Sequence, residues 1–111
     1  MKTKKRHFST FDIAGFSYWE GCIVFNDLKI GTVLNLIREE ENKFDPYAVA
    51  IFYGEIKLGY IPRSENKEIS KFLELGYTNL FEARINRLTP DLSPENQVGI
   101  IVYINPAQTA Q

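Results

Sequence analysis

Cysteine and histidine each occur only once in this chain of 111 residues, and this shortage excludes several kinds of site. A lone cysteine, Cys22, cannot close an intrachain disulfide bond or supply a cysteine-based zinc site. A lone histidine, His7, argues against a histidine-based metal site and against a Ser-His or Cys-His nucleophile. The chain also lacks a glycine-rich phosphate loop, so the residues predict a protein that is not an enzyme and needs no metal or cofactor.

Long apolar runs and a strong excess of positive charge are also missing. No run approaches the roughly 20 apolar residues that span a bilayer, and the charged N-terminus lacks the apolar segment of a secretory signal. We therefore expect a cytoplasmic protein with no membrane partner. The formal net charge of −1 argues against a protein held to duplex DNA by charge alone, because such proteins place clustered Lys and Arg against many phosphates.

The chain does have enough apolar sequence for one packed domain. It is 44% hydrophobic and 14% aromatic, which predicts a folded core and leaves some aromatic rings for the surface. We divide it into a basic N-terminal tail at 1–7, a domain at 8–104 and a C-terminal tail at 105–111. The cations of the first tail are either simply solvated or part of an arm that contacts phosphates.

Hydrophobic periodicity predicts six strands and two helices. The strands are expected at 7–14, 32–38, 48–53, 56–61, 80–88 and 98–104. A short helix is expected at 17–25, and a longer helix follows Ser64 as its N-cap and ends at Gly76. Gly54 and Glu55 join two strands as a type II′ hairpin. Short antiparallel connections predict a mainly β fold, a small closed or partly closed barrel.

A polar loop before this hairpin carries the most informative side chains. Residues 38–47 (REEENKFDPY) place amide, aromatic and carboxylate groups on a loop held by a sheet, where binding residues commonly lie. Asp45 before Pro46 also has a plain structural interpretation as an Asx turn, and Asn42 has one as a brace of the same loop. Phe44 is harder to explain as a core residue. A divalent cation held by Asp45 and the neighbouring glutamates is a further alternative.

Other residues could complete a surface for single-stranded nucleic acid, which needs flat rings beside a basic track. The candidate rings and cations outside or beside the loop are Tyr18, Trp19, Tyr60, Arg38, Lys43, Lys57 and Arg63. Tyr18 can also be interpreted as a core residue, Trp19 is better interpreted as one, and Arg63 can be interpreted as a solvated charge. The carboxylate of Asp45 suits a terminal hydroxyl, because it accepts an O–H strongly and repels an internal phosphate.

Three segments together resemble the HIRAN domain, the N-terminal module of fork-remodelling SWI/SNF-type helicases that also occurs as free-standing bacterial proteins. They are IAGFSYW at 13–19, the stretch 38–50 with Asn42, Phe44-Asp45 and Ala48-Val49, and KLGYIPR at 57–63. The resemblance extends over residues 8–104 and includes the helix that ends at Gly76. It implies a six-stranded β-barrel, OB-like or SH3-like, that has no catalysis of its own and captures the 3′ end of single-stranded DNA.

The resemblance also implies roles for individual residues. Tyr18 and Phe44 match aromatic positions that stack on terminal bases, and Asp45 matches the carboxylate that accepts a hydrogen bond from the terminal 3′-hydroxyl. Three further positions carry over, one beside the carboxylate and two flanking the bound strand: Asn42, Tyr60 and Arg63. The expected context is DNA repair or fork processing, with a helicase or nuclease as a partner acting in trans.

A second interpretation keeps the fold and changes the function. Ser17 stands where DNA-binding members of the family carry an arginine, Lys43 replaces a proline, and Phe44 replaces a tyrosine. Glu39, Glu40 and Glu41 form the densest acidic run of the chain. The sequence therefore leaves open a protein-interaction or adaptor module of the same fold that has lost its affinity for DNA.

Overall fold

The computed structural model of the chain describes residues 4–16, 24–93 and 96–107. These residues form six β-strands and one α-helix: β1 (Arg6–Asp12), β2 (Val33–Arg38), β3 (Val49–Tyr53), β4 (Ile56–Tyr60), α1 (Lys67–Glu74), β5 (Phe81–Leu88) and β6 (Val98–Ile104). A 3₁₀ helix, Phe25–Asp27, precedes β2. The predicted mainly β class and its six strands are therefore confirmed. Most of the short helix predicted at 17–25 lies outside the described residues.

The six strands form one antiparallel sheet in the order β1-β6-β5-β2-β3-β4. The predicted barrel closure is not found, because the edge strands β1 and β4 do not pair along their lengths. The chain just after β1 instead meets the end of β4 at a single bridge between Ala14 and Tyr60. Each of these residues donates its N–H to the carbonyl of the other, at 2.9 Å in both directions. The sheet is thus open, with its two edges fastened at one point.

The hairpin between β3 and β4 has the predicted form. Tyr53 pairs with Ile56, which leaves Gly54 and Glu55 as a two-residue loop. Gly54 has a φ of 58°, and no described residue other than glycine has a positive φ. A positive φ at the first central position alone is the signature of a type II′ turn.

The core lies on the inner face of the curved sheet. Side-chain exposure alternates along β5 as the sequence predicted, with Ala83 and Ile85 buried between residues that face water. On β2, Leu34 is buried while Val33 and Ile37 are about half exposed. The centre of the core consists of residues that are at most 2% exposed: Ile13, Phe16, Ile51, Leu58, Ile61, Ile69, Ile85 and Ile100. Burial of such side chains is the main favourable term in the folding of the domain.

The one α-helix starts later than predicted and ends where predicted. Its N-cap is Asn66 and not Ser64, because residues 62–65 form a turn closed by a hydrogen bond from the Glu65 N–H to the Pro62 carbonyl. At the C-terminus, Gly76 has a φ of 94° and donates its N–H to the Leu73 carbonyl. This geometry is a Schellman end, which requires the left-handed conformation that glycine adopts readily. Among the described residues, no helix is long and apolar enough to cross a membrane.

Gly59 allows the contact that fastens the two edges of the sheet. Its φ is 149°, and a Cβ built on it would lie 2.4 Å from the carbonyl oxygen of Ala14 and 2.6 Å from Cγ2 of Ile13. Neither distance is compatible with a real side chain. The close approach of the two backbones therefore depends on the absence of a side chain at this position.

We expect Gly59→Ala to destabilise the domain by roughly 2 kcal/mol or more, because the added methyl group must displace backbone atoms and the positive φ is strained. Thermal or urea unfolding followed by circular dichroism measures this change. Gly76→Ala is the matched control, since its φ is also positive but no atom lies within 4 Å of the added Cβ. Equal losses in the two variants would show that the backbone contact with Ala14 is not the cause.

Candidate functional site

A cavity of about 590 Å³ opens beside the bridge between Ala14 and Tyr60. Three segments of chain line it: the residues directly after β1, the loop before β3, and the end of β4 with the turn that follows. The structure brings five of the six predicted site residues to this cavity: Asn42, Phe44, Asp45, Tyr60 and Arg63. The sixth, Tyr18, lies outside the described residues. It comes three positions after Gly15, which does line the cavity.

Asn42 organises the backbone of the loop. Its side-chain Oδ1 accepts hydrogen bonds from the N–H groups of Phe44 at 2.9 Å and Asp45 at 3.0 Å. An amide oxygen has two lone pairs, so both are used within the loop. The interpretation of Asn42 as a brace therefore describes its position well, and its amide nitrogen is turned toward Glu39, 3.1 Å away.

Phe44 is the most exposed large hydrophobic residue of the described chain, with 85% of its surface accessible. Its backbone is nevertheless fixed, since its N–H is bound by Asn42 and its carbonyl accepts a hydrogen bond of 3.0 Å from Nη2 of Arg63. A ring held out from a fixed backbone presents a flat apolar surface to the cavity. Such a surface is what base stacking requires.

Asp45 combines a structural role with access to the cavity. Its Oδ1 accepts the N–H of Tyr47 at 2.9 Å, which is the Asx turn that the sequence allowed. Its Oδ2 accepts the side-chain N–H of Asn66 at 2.9 Å and lies 3.7 Å from Nε of Arg63. The side chain is 15% exposed. Because a carboxylate offers about four acceptor positions, these two hydrogen bonds leave capacity for a donor that enters from the cavity.

Tyr60 is held by an ion pair between Glu39 and Lys57, which was not predicted from the sequence. Glu39 accepts hydrogen bonds from Lys57 at 2.6 Å, from the Tyr60 hydroxyl at 2.9 Å and from Asn42 at 3.1 Å. Lys57 also donates to the Tyr60 hydroxyl at 2.7 Å, and its ammonium lies 4.4 Å from the centre of that ring. Glu39 thus links the aromatic wall of the cavity to the loop that carries Asp45.

The pKa values of Glu39 and Lys57 shift in opposite directions. Burial raises the pKa of Glu39, but the hydrogen bonds from Lys57, Asn42 and Tyr60 outweigh it and bring the pKa below its ordinary value of 4.5. Burial lowers the pKa of Lys57, and its bonds to Glu39 and Tyr60 raise it above its ordinary value of 10.5. Both groups are therefore charged at neutral pH, and each neutralises the other.

This pairing changes the charge expected around the site. Of the acidic run, only Glu40 and Glu41 are exposed, because Glu39 is tied to Lys57. Of the predicted basic track, Lys57 is paired and Arg38 lies 3.8 Å from Glu74. Two cations of that track remain exposed beside the loop, Lys43 and Arg63.

The described part of the basic N-terminus leads into the start of β1, whereas the cavity lies beyond the end of that strand. Arg6 lies in β1, which places two residues of the predicted tail in the sheet, and Lys5 binds Glu82 at 2.8 Å. Ala14, at the cavity, follows Arg6 by eight residues, which corresponds to roughly 25 Å along an extended chain.

Sequence reasoning missed three residues that shape the site: Glu39, Lys57 and Asn66. Glu39 was interpreted as part of an acidic run, and Lys57 as one cation among several of a basic track; the contact between them was not predicted. Asn66 carried no signal beyond its position near a helix start. Among the described residues, no group of three or more His, Cys, Asp or Glu side chains is arranged to hold a metal ion.

Comparison with known proteins shows which family the sequence of this chain matches. The model of the HIRAN domain matches residues 7–106. The structure is similar to that of a protein from Lactobacillus plantarum, with a TM-score of 0.76 and 19% identity, covering 91% of this chain and 95% of that one. It is also similar to the HIRAN domain of human HLTF, with a TM-score of 0.64 and 11% identity, covering 94% of this chain and 81% of that one. No curated protein matches this sequence.

We expect Glu39→Gln to lower stability at pH 7 by about 1 kcal/mol, a modest loss because the pair with Lys57 is partly exposed to water. The folded-state pKa of Glu39 is depressed, so its contribution is fully present above the ordinary value of 4.5 and is lost as pH falls through the folded-state pKa. The difference in melting temperature between wild type and variant should therefore shrink in acid.

Glu41→Gln is the matched control, since Glu41 is exposed; we expect it to change the melting temperature little at either pH. A Glu39→Gln difference that persisted unchanged at pH 3 would contradict the charged network.

Proposed function

This chain belongs to the HIRAN domain family, and on that basis we propose that it binds single-stranded DNA at a free 3′-hydroxyl end. The HIRAN domain is a nucleic-acid-binding module and not a catalytic one. The proposal concerns what this particular cavity would recognise. The observation that carries it is the exposed ring of Phe44 beside the partly exposed carboxylate of Asp45, both in the lining of one cavity of about 590 Å³.

Stacking would supply the affinity for bases. A base stacked on an aromatic side chain contributes about 1–3 kcal/mol, with little dependence on its identity. Phe44 offers an exposed ring, and Tyr60, at the end of β4, lines the same cavity. The family resemblance adds Tyr18 as a second stacking residue.

Asp45 would supply the recognition of the end. A 3′-hydroxyl can donate to the carboxylate, and a hydrogen bond to a charged acceptor is stronger than one to a neutral group. A strand that continued, or that ended in a phosphate, would bring negative charge against the same oxygens. Asn42 would act by holding the backbone of Phe44 and Asp45 in place.

The exposed cations would contact phosphates of the bound strand. Arg63 lines the cavity, and Lys43 is adjacent to Phe44 in the loop. Each phosphate contact releases counterions, so the affinity should fall as salt rises. We place this activity in the cytoplasm, in DNA repair or fork processing, with a helicase or nuclease acting in trans.

A second candidate function, protein binding, is favoured by a separate observation. A set of apolar side chains between 40% and 72% exposed occurs on β2 and around the end of α1: Val33, Ile37, Phe72, Leu75 and Tyr77. Exposed apolar patches often mark protein interfaces. This is the surface that an adaptor module of the same fold would use, and an apolar interface would respond weakly to salt.

We expect wild-type protein to bind an oligonucleotide with a 3′-hydroxyl at least about tenfold more tightly than the same oligonucleotide with a 3′-phosphate. Asp45→Asn should narrow this ratio, because the amide is neutral and no longer repels the phosphate. Fluorescence anisotropy measures both affinities. Any unfolded fraction lowers both affinities equally, so the ratio reports on recognition alone. Equal binding of the two ends by wild type would remove the claim of end recognition.

We expect Phe44→Ala to weaken binding of a 3′-hydroxyl oligonucleotide by about five- to one-hundredfold, the range that one stacked base contributes. Leu75→Ala is the matched control, because Leu75 is 72% exposed but belongs to the apolar set at the end of α1. An equal loss in the two variants would contradict a specific role for Phe44, and no measurable binding of the oligonucleotide by wild type would favour the adaptor function.

A further inference from the structure

We propose that Asn66 is the positioning residue of the site, which holds the carboxylate of Asp45 in the orientation that reads a 3′-hydroxyl. This inference rests on the proposed function and names a residue to which the family resemblance assigned no role. Asn66 is not among the residues that line the cavity. It therefore acts on the bound end only through Asp45.

The contact between the two side chains is direct and buried. Nδ2 of Asn66 donates to Oδ2 of Asp45 at 2.9 Å, across 21 positions of sequence. Asn66 is 2% exposed, although it stands at the start of a surface helix. An amide group buried to this degree needs a partner, because an unpaired one carries a desolvation penalty. Asp45 is that partner.

The position of Asn66 makes this use of its side chain unusual. Asparagine is favoured at helix N-caps because its side-chain oxygen accepts an N–H from the first turn of the helix. Asn66 is the N-cap of α1, yet its side chain makes no capping hydrogen bond. Its backbone carbonyl accepts the N–H of Ser70 at 2.8 Å, so the helix does begin here. The side chain is directed to Asp45 and not to the helix.

Asn66 completes a two-sided support of the carboxylate. The N–H of Tyr47 binds Oδ1 and the amide of Asn66 binds Oδ2, so both oxygens are fixed and rotation of the group is prevented. The remaining acceptor positions are left for a donor from the cavity.

The charged groups around this pair are few. Arg63 lies 3.7 Å from Oδ2 of Asp45, and Lys67 lies over the ring of Tyr47 at 5.6 Å. Glu65, next to Asn66, accepts a hydrogen bond from the hydroxyl of Ser9 at 2.6 Å. Nothing in this set replaces the neutral donor that Asn66 provides to Oδ2.

Asn66→Asp tests the inference by replacing that donor with an acid. Two carboxylates at this distance cannot both ionise, so the pair titrates with a raised apparent pKa. At pH 8 we expect the ratio of 3′-hydroxyl to 3′-phosphate affinity to fall by about tenfold. At pH 5.5 a proton on the introduced carboxyl group can be donated to Asp45, and the ratio should recover toward that of wild type. The wild-type amide has no proton to lose in this range.

Asn66→Ala and Asn86→Asp complete the experiment. Asn66→Ala removes the donor without adding an acid, so its ratio should be low at both pH values. Asn86→Asp adds the same charge at an exposed position of β5 and should behave as wild type. Circular dichroism at both pH values establishes that each variant is folded. The 3′-phosphate itself takes up a proton in this range, so each ratio is compared with that of wild type at the same pH. A purely structural role for Asn66 would lower stability without making this relative ratio depend on pH.

The outcomes separate this inference from the proposed function. A wild-type preference for the 3′-hydroxyl that survives unchanged in both Asn66 variants would overturn the role of Asn66 and leave the proposed function standing. A wild type with no preference overturns both. A preference that is lost in Asn66→Asp at pH 8 and regained at pH 5.5 supports both.

Discussion

The contact between the backbones of Ala14 and Tyr60 is the constraint on which the rest of this molecule depends. It is the one point at which the two edges of the open sheet are hydrogen-bonded to each other in the described chain. It also forms one side of the cavity, since Ala14, Gly15 and Tyr60 all line it. The contact exists because Gly59 has no side chain to keep the strands apart. Gly59 therefore determines how the two sheet edges are fastened and, with them, one side of the cavity.

Two side chains that do not line the cavity, Glu39 and Asn66, hold the candidate site in place. Glu39 accepts hydrogen bonds from Lys57, Tyr60 and Asn42 and so links the ring of Tyr60 to the loop that carries Asp45. Asn66, at the start of α1, donates a hydrogen bond to the carboxylate of Asp45 and so fixes its position. A binding side chain keeps a precise position when supporting contacts of this kind fix it. This arrangement explains how a polar surface loop can present an exposed ring and a carboxylate in a constant geometry.

Much of the fold could be predicted from the sequence, because strand and hairpin signals are local. Alternation along residues 81–88, the Gly54-Glu55 turn and the helix end at Gly76 all depend on near neighbours. The prediction of a fully closed barrel was wrong. Whether two sheet edges pair along their length depends on the curvature of the whole sheet, which is not a local property of the sequence. Ser64 was wrong as the N-cap because the turn after Pro62 delays the helix. Residue type and family resemblance singled out the loop residues Asn42, Phe44 and Asp45, which do line one cavity, and their binding roles stay predictions. Asn66 was not found, because its contact joins positions 21 residues apart.

The central claim is that the carboxylate of Asp45 accepts a hydrogen bond from a terminal 3′-hydroxyl. The most direct test is a double-mutant cycle that pairs Asp45→Asn with an oligonucleotide ending in a 2′,3′-dideoxynucleotide, which lacks only that hydroxyl. Removal of the hydroxyl should weaken binding to wild type by about tenfold and binding to Asp45→Asn distinctly less, since a neutral oxygen accepts a weaker hydrogen bond. Equal losses for the two proteins would mean that the hydroxyl and Asp45 do not interact, and would contradict the account.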